Sequence, residues 1–310
     1  MEIRINNQLI DITLENEKTL AEVMGGISAW LGPKGHQIVK VALNGKETAF
    51  ERPEELEGLT EISVDTIKTL DITALTPGEQ KFQYLNTLYQ YFTLLLGALK
   101  AGNGKLINEL RDEFPYVEKS VDKILGAKEG AYADKLREII ASLSEQHHPD
   151  DLDQETVSYL ENLIILIRTY IQETTAPMEE LKGCSEKIEK IGSQISEVSI
   201  LLQTGKDRQA MDSVLLFIGL SEKITRLVDN LSSQGLDLSV PKLEGESFAE
   251  FMRTFNAALN EVVTGFNNND SVLIGDVLEY EVAPLLERFS SFIVIIDQEH
   301  QKIIEQVEKQ

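Results

Sequence analysis

The chain has 310 residues, 42% apolar and 26% charged, with a formal charge of −23 and an isoelectric point near 4.6. That length supports a sizeable core and two or three domains, and the acidity repels phosphate backbones and anionic lipid surfaces, so no nucleic-acid partner is expected. A single cysteine, Cys184, excludes an intramolecular disulfide framework and a thiolate zinc cluster. The opening Met1-Glu2-Ile3-Arg4 has no basic n-region or apolar h-region, and no apolar stretch reaches the roughly 20 residues of a membrane span. A cytoplasmic protein without membrane insertion is expected.

Ile3-Arg4-Ile5 and Ile10-Asp11-Ile12-Thr13-Leu14 alternate apolar and polar residues around Asn6-Asn7-Gln8, which predicts a β-hairpin. Thr19 reads as an N-cap with Glu22 three places on. Leu20, Val23, Met24, Ile27, Trp30 and Leu31 follow at helical spacing until Gly32-Pro33 stops them. Ile38-Val39-Lys40-Val41-Ala42-Leu43 predicts a strand, Asn44-Gly45 a reversal, and Glu61-Ile62-Ser63-Val64 a last strand. Strand, strand, helix, strand, strand over residues 1–70 is the order of a β-grasp domain. Residues 71–78, carrying Thr76-Pro77-Gly78, are predicted to be a linker.

Past that point a helix breaks at a short polar turn and restarts three times, at Gly102-Asn103-Gly104, Gly205-Lys206-Asp207 and Asn267-Asn268-Asn269. Each turn joins two apolar-periodic runs, the pattern of an antiparallel helical hairpin. Residues 79–175 are predicted to form hairpins, with seams such as Phe82, Leu85, Tyr89, Phe92, Leu96 and Leu99, and with Asp153 capping a later helix. Residues 176–310 are predicted to form a bundle. Its seams are Leu181, Cys184, Ile188, Ile191, Ile195, Val198 and Leu202, then Ala210, Val214, Phe217, Ser221, Ile224, Val228 and Leu231, then Phe248, Phe251, Phe255, Ala258, Val262 and Phe266. Pro284 should kink the last helix near Glu281. The fold class is therefore α+β.

Residues 1–66 resemble the ubiquitin-like β-grasp family, and Val41-Ala42-Leu43-Asn44-Gly45-Lys46-Glu47 is similar to the third strand of its small sulfur carriers. A sulfur carrier needs a free Gly-Gly carboxyl terminus, whereas this chain runs on through Thr66-Ile67-Lys68-Thr69-Leu70, so the resemblance implies the fold and an adaptor role without carrier chemistry. The hairpins, with Gly205-Lys206-Asp207 opening an amphipathic helix, are similar to bacterial flagellin-export chaperones and to motility-associated helical proteins. That likeness implies binding of protein partners in assembly, export or motility.

The sequence predicts no catalytic constellation, no cofactor and no metal. Cys184 falls on a seam and reads as a small hydrophobe. Glu145-Gln146-His147-His148 and Asp297-Gln298-Glu299-His300 each place a carboxylate three residues before a histidine, as in di-iron bundles. A metalloprotein or enzyme using Glu145, His148, Asp297 and His300 is thus the rival to a non-enzymatic adaptor or scaffold, and self-assembly into a homo-oligomer is a third class. The candidate partner-binding residues are Trp30, which would otherwise anchor its domain core, Tyr84 and Tyr91, which lie off the main stripe of their helix, and Tyr280, set between Glu279 and Glu281.

Overall fold

The computed structural model describes residues 1–10, 17–48, 62–143, 152–268 and 270–307 and has an α+β architecture, a five-stranded mixed sheet followed by a mostly helical region. Contacts divide the chain into two compact units, residues 1–91 with 112–141 and residues 92–111 with 142–310.

In the first unit β1 (Glu2–Ile5) and β2 (Gln8–Ile10) form a hairpin turned by Asn6 and Asn7 at φ of 51° and 65°, with Gln8 already in the strand; residues 11–14 of the strand expected over 10–14 lie outside the described residues. Both angles are left-handed, a region asparagine enters more readily than most side chains, and this hand of turn matches the strand twist. α1 (Leu20–Leu31) starts at a complete capping box. The Glu22 N–H donates to Thr19 Oγ1 at 3.4 Å, and the Glu22 carboxylate accepts from the Thr19 N–H at 3.2 Å. β3 (Gln37–Leu43) and β4 (Lys46–Thr48) make a second hairpin at Asn44-Gly45.

The strand expected at 61–64 is absent among the described residues, where Val64–Thr66 is a single 3₁₀ turn. The fifth strand is β5 (Thr69–Leu75), parallel to β1 and antiparallel to β3, in the order β2-β1-β5-β3-β4. Residues 71–75, expected as linker, are therefore part of the central strand. Leu70, Ile72 and Ala74 point into the core at 0%, 2% and 0% exposure and, with Ile3, Ile5 and Val41, pack against Leu20, Val23, Met24 and Ile27 of α1. Two turn asparagines hold β5 in place. The Asn6 side chain exchanges two 2.9 Å bonds with the backbone of Ala74, and Asn44 Oδ1 accepts from the N–H groups of Lys68 at 2.7 Å and Thr69 at 3.1 Å. α2 (Pro77–Ala101) follows at once from a second capping box, Thr76 with Glu79. Further on come α3 (Gly104–Ile124) and α4 (Ala133–Ser142), and residues 92–101 of α2 and 104–111 of α3 belong with the second unit. The Asp122 carboxylate accepts from the N–H groups of Gly130, Tyr132 and Ala133 at 2.7, 2.8 and 3.3 Å and so fixes the entry to α4.

In the second unit α5 (Gln154–Thr175) is capped by Asp153, as expected. The stripe from Leu181 to Leu202, read as one helix, is three: α6 (Pro177–Lys182), α7 (Ser185–Ser196) and α8 (Val198–Gln203). The breaks tighten to i→i−3 bonds, Cys184 N–H to Leu181 and Glu197 N–H to Gln194, while φ and ψ stay right-handed. The stripe therefore runs through them, and Leu181, Cys184, Ile188, Ile191, Ile195 and Val198 are all buried. α9 (Asp207–Ser233) returns along it with all seven expected seam residues buried.

The stretch before the last hairpin is more ordered than its composition suggests. β6 (Lys242–Leu243) and β7 (Glu246–Ser247) form a two-residue hairpin, and Ser247 with Glu250 makes a third capping box for α10 (Phe248–Asn268). α11 (Ser271–Val277), capped by Asp270, leads on to α12 (Ala283–Val307). Phe248, Phe251 and Phe255 of α10 interleave with Phe289 and Phe292 of α12, at ring-centroid separations of 4.8 to 6.3 Å. At Gly265 a Cβ would stand 2.7 Å from Ile274 Cγ1, so glycine is what lets α10 and α11 approach this closely.

Candidate functional site

Pro284 creates the most distinctive local geometry of the second unit. It has no N–H for the carbonyl of Tyr280, four residues back, and its ring crowds that carbonyl. The chain answers with a turn of π-helix at Leu278–Val282, closed by the Ala283 N–H donating to the carbonyl of Leu278. The disturbance expected near Glu281 is thus a π-turn, and Tyr280 within it is 68% exposed. The Tyr280 phenol bonds to the neighbouring Glu279 carboxylate, which raises its pKa above the usual tyrosine value.

This π-turn and the start of α12 form one wall of a cleft of about 600 Å³. Glu279, Ala283, Pro284, Leu286, Glu287 and Ser290 line that wall, and Ile188, Glu189, Gly192, Ser193, Ser196 and Glu197 line the facing wall on α7. At its floor the walls are close, since a Cβ on Gly192 would lie 3.8 Å from Leu286 Cβ. Four glutamates, Glu189, Glu197, Glu279 and Glu287, are among the residues lining the cleft, and its lining contains no lysine, arginine or histidine. The hydroxyls of Ser193 and Ser196 bond back to helix carbonyls, whereas the Ser290 hydroxyl is buried without a hydrogen-bond partner. The cleft can therefore accept positive charge and hydrogen bonds, and its size lies within the range of small-molecule and side-chain pockets.

The candidate residues from the sequence are scattered. Trp30 is 47% exposed at the end of α1, and so is not the core anchor of its domain, while Tyr84 is 55% exposed on α2. Tyr91 is 5% exposed and offers little surface. None of the four is among the residues lining the cleft, and Tyr280 is next in sequence to Glu279, which is. The cleft carboxylates were singled out by sequence only through Glu279. The usable signal was spacing, since Glu189 and Glu197, like Glu279 and Glu287, lie eight residues apart, about two helical turns. Of the rival set, Glu145 and His148 lie outside the described residues, and the Asp297 carboxylate lies 2.7 Å from Lys182 Nζ. Among the described residues no group of three His, Cys, Asp or Glu side chains could hold a metal ion, and no helix is long and apolar enough to cross a membrane.

Tyr91 carries a pH consequence. Burial first, and the nearby Glu113 carboxylate second, push its phenol well above the usual tyrosine value. The folded chain keeps that proton when the unfolded chain loses it, so stability contributed by Tyr91 is present below about pH 10 and falls as pH rises further. Urea midpoints measured between about pH 9 and pH 11 should fall more steeply for the native chain than for Tyr91→Phe. Parallel slopes would rule this out.

Residues 1–76 match a family described as the TP0873 N-terminal domain, and residues 179–292 match a domain of unknown function, DUF8042. The first match ends just after β5, and the second contains every residue lining the cleft. A stretch of 79 residues, 26% of this chain, is 35% identical to an uncharacterized protein of Treponema pallidum (strain Nichols) and spans 38% of that protein's length. No solved structure matches the chain.

Proposed function

We propose that this protein is a cytoplasmic, non-enzymatic adaptor or scaffold that docks a basic segment of a protein partner in the cleft between α7 and the π-turn. The observation that carries the reading is the cleft itself. It has glutamates on both walls and a buried hydroxyl without a partner, and the exposed Tyr280 is next in sequence to the lining residue Glu279. Complementary charge of this kind favours encounter and register, and an amphipathic ring such as Tyr280 is the side-chain type enriched at interface hot spots. Two features of the first unit support a β-grasp reading and a second docking surface there, the strand order around a single helix and the exposed Trp30.

Full-length chain should capture a specific basic partner from the native cell. Changing Glu189, Glu197, Glu279 and Glu287 together to lysine should weaken that capture at least about tenfold without unfolding the chain, since none of the four is buried. Capture by the native chain should also weaken with added salt. Undiminished capture by the fourfold variant would remove the cleft from the function.

A further inference from the structure

The buried seam of α9 is accompanied by a second apolar stripe. Met211, Leu215 and Ile218, at i, i+4 and i+7, lie about a quarter turn around the helix from that seam and are 43%, 59% and 38% exposed. Gly219 beside them is also exposed, with nothing within 4 Å of the place a Cβ would take, which leaves a notch in the surface. The stripe ends in opposite charges, with Arg208 exposed one turn before Met211 and Glu222 exposed one turn after Ile218. Scattered exposed hydrophobes are ordinary on a protein surface, whereas these three lie in one helical row between opposite charges.

We propose that this face docks on the same face of a second copy of the chain, with the two α9 helices antiparallel about a twofold axis at Leu215. The inference is independent of the cleft, which lies on other helices. In that arrangement Leu215 meets Leu215, Met211 sits over the Gly219 notch, and Arg208 meets Glu222, each of the last two contacts being made twice. Charge selects the direction, because a parallel pairing would set Arg208 against Arg208 and Glu222 against Glu222. The seam is about 21 Å long. Arg226, one turn beyond Glu222, is held by Glu173 and adds nothing to it. A seam this short lies below the usual interface size, so the dimer is weak and concentration-dependent.

Sedimentation velocity of the full chain, from about 1 to about 100 µM, should show reversible dimerisation. Leu215→Lys, which places two like charges at the axis, should abolish it while the far-ultraviolet circular dichroism is unchanged. Arg208→Glu and Glu222→Arg should each weaken association about tenfold, because each converts two symmetry-related attractions into repulsions, and the double variant should restore it. Within one chain the two residues stand too far apart to touch, so restoration reports a contact between copies. A monomer at every concentration, a dimer indifferent to Leu215→Lys, or a double variant as weak as the singles would each overturn the proposal. A different protein covering the stripe would give the first of these results.

Discussion

Replacing Arg226 with methionine is expected to cost about 3–5 kcal/mol of folding free energy. Glu173 sits at the end of α5 with a side chain only 1% exposed, and Arg226 of α9 grips both of its oxygens, Nε to Oε2 at 2.8 Å and Nη2 to Oε1 at 3.1 Å. Without the guanidinium a carboxylate is left in a site where water cannot reach it. The reverse change, Glu173→Gln, should cost less, because 29% of the Arg226 side chain is already in water and its guanidinium also rests 4.6 Å from the centre of the Tyr170 ring. The double variant Glu173→Leu, Arg226→Met removes both charges and should recover much of the loss. Urea denaturation followed by circular dichroism checks the cycle, and a near-neutral Arg226→Met would show that the pair does not clamp α5 to α9. The same junction is held by the Asn230 amide donating to the Glu173 carbonyl at 2.8 Å and the Gln234 amide to the Thr174 carbonyl at 3.0 Å, so a broken ion pair should loosen the end of α5 without releasing it.

Phe251→Ala is expected to cost a similar amount, about 3–5 kcal/mol, by a different mechanism. Phe251 is fully buried and its ring touches four others, Phe248, Phe255, Phe289 and Phe292, at centroid separations of 6.0, 6.3, 5.8 and 4.8 Å. The cost combines lost transfer free energy, an unfilled cavity and lost stacked and tilted ring contacts. It should appear as a lower urea midpoint with little change in slope, and Phe251→Leu should recover part of it. A loss below about 1 kcal/mol would mean that neighbouring side chains collapse into the space.

The Phe251 expectation concerns a seam that period-3.6 spacing identified, and the reason is local. A helix satisfies its backbone internally, so its sequence needs only to mark which face is buried. Ala210 through Leu231 on α9 and Phe248 through Val262 on α10 are buried at the expected positions. Thr19 and Asp153 likewise cap the helices they were expected to cap, because a cap reaches only three residues along the chain. Two further caps carried the same local mark, Thr76 with Glu79 and Ser247 with Glu250, and the prominence of nearby Pro and Gly obscured them.

β5 shows where local reading stops. Its alternation of Leu70, Ile72 and Ala74 with polar residues was present in the sequence, yet the segment lies beside a Pro-Gly pair and read as linker. Its place in the middle of the sheet depends on β1, some 65 residues away, and on bonds from Asn6 and Asn44. The cleft is the same case at the level of function. Glu189 lies on α7 and Glu197 just after it, Glu279 lies in the π-turn and Glu287 on α12, and no short window of sequence contains both walls.

Composition, apolar period and capping residues by themselves determined an acidic α+β chain with a small strand-rich start, long amphipathic helices and most of their buried faces. Tertiary structure alone decided which strand is central and that four glutamates distant in sequence line one cleft. The physical reason is range: helix seams and caps are set by residues within one or two turns, whereas strand partners and cleft walls are set by whichever surfaces burial brings together.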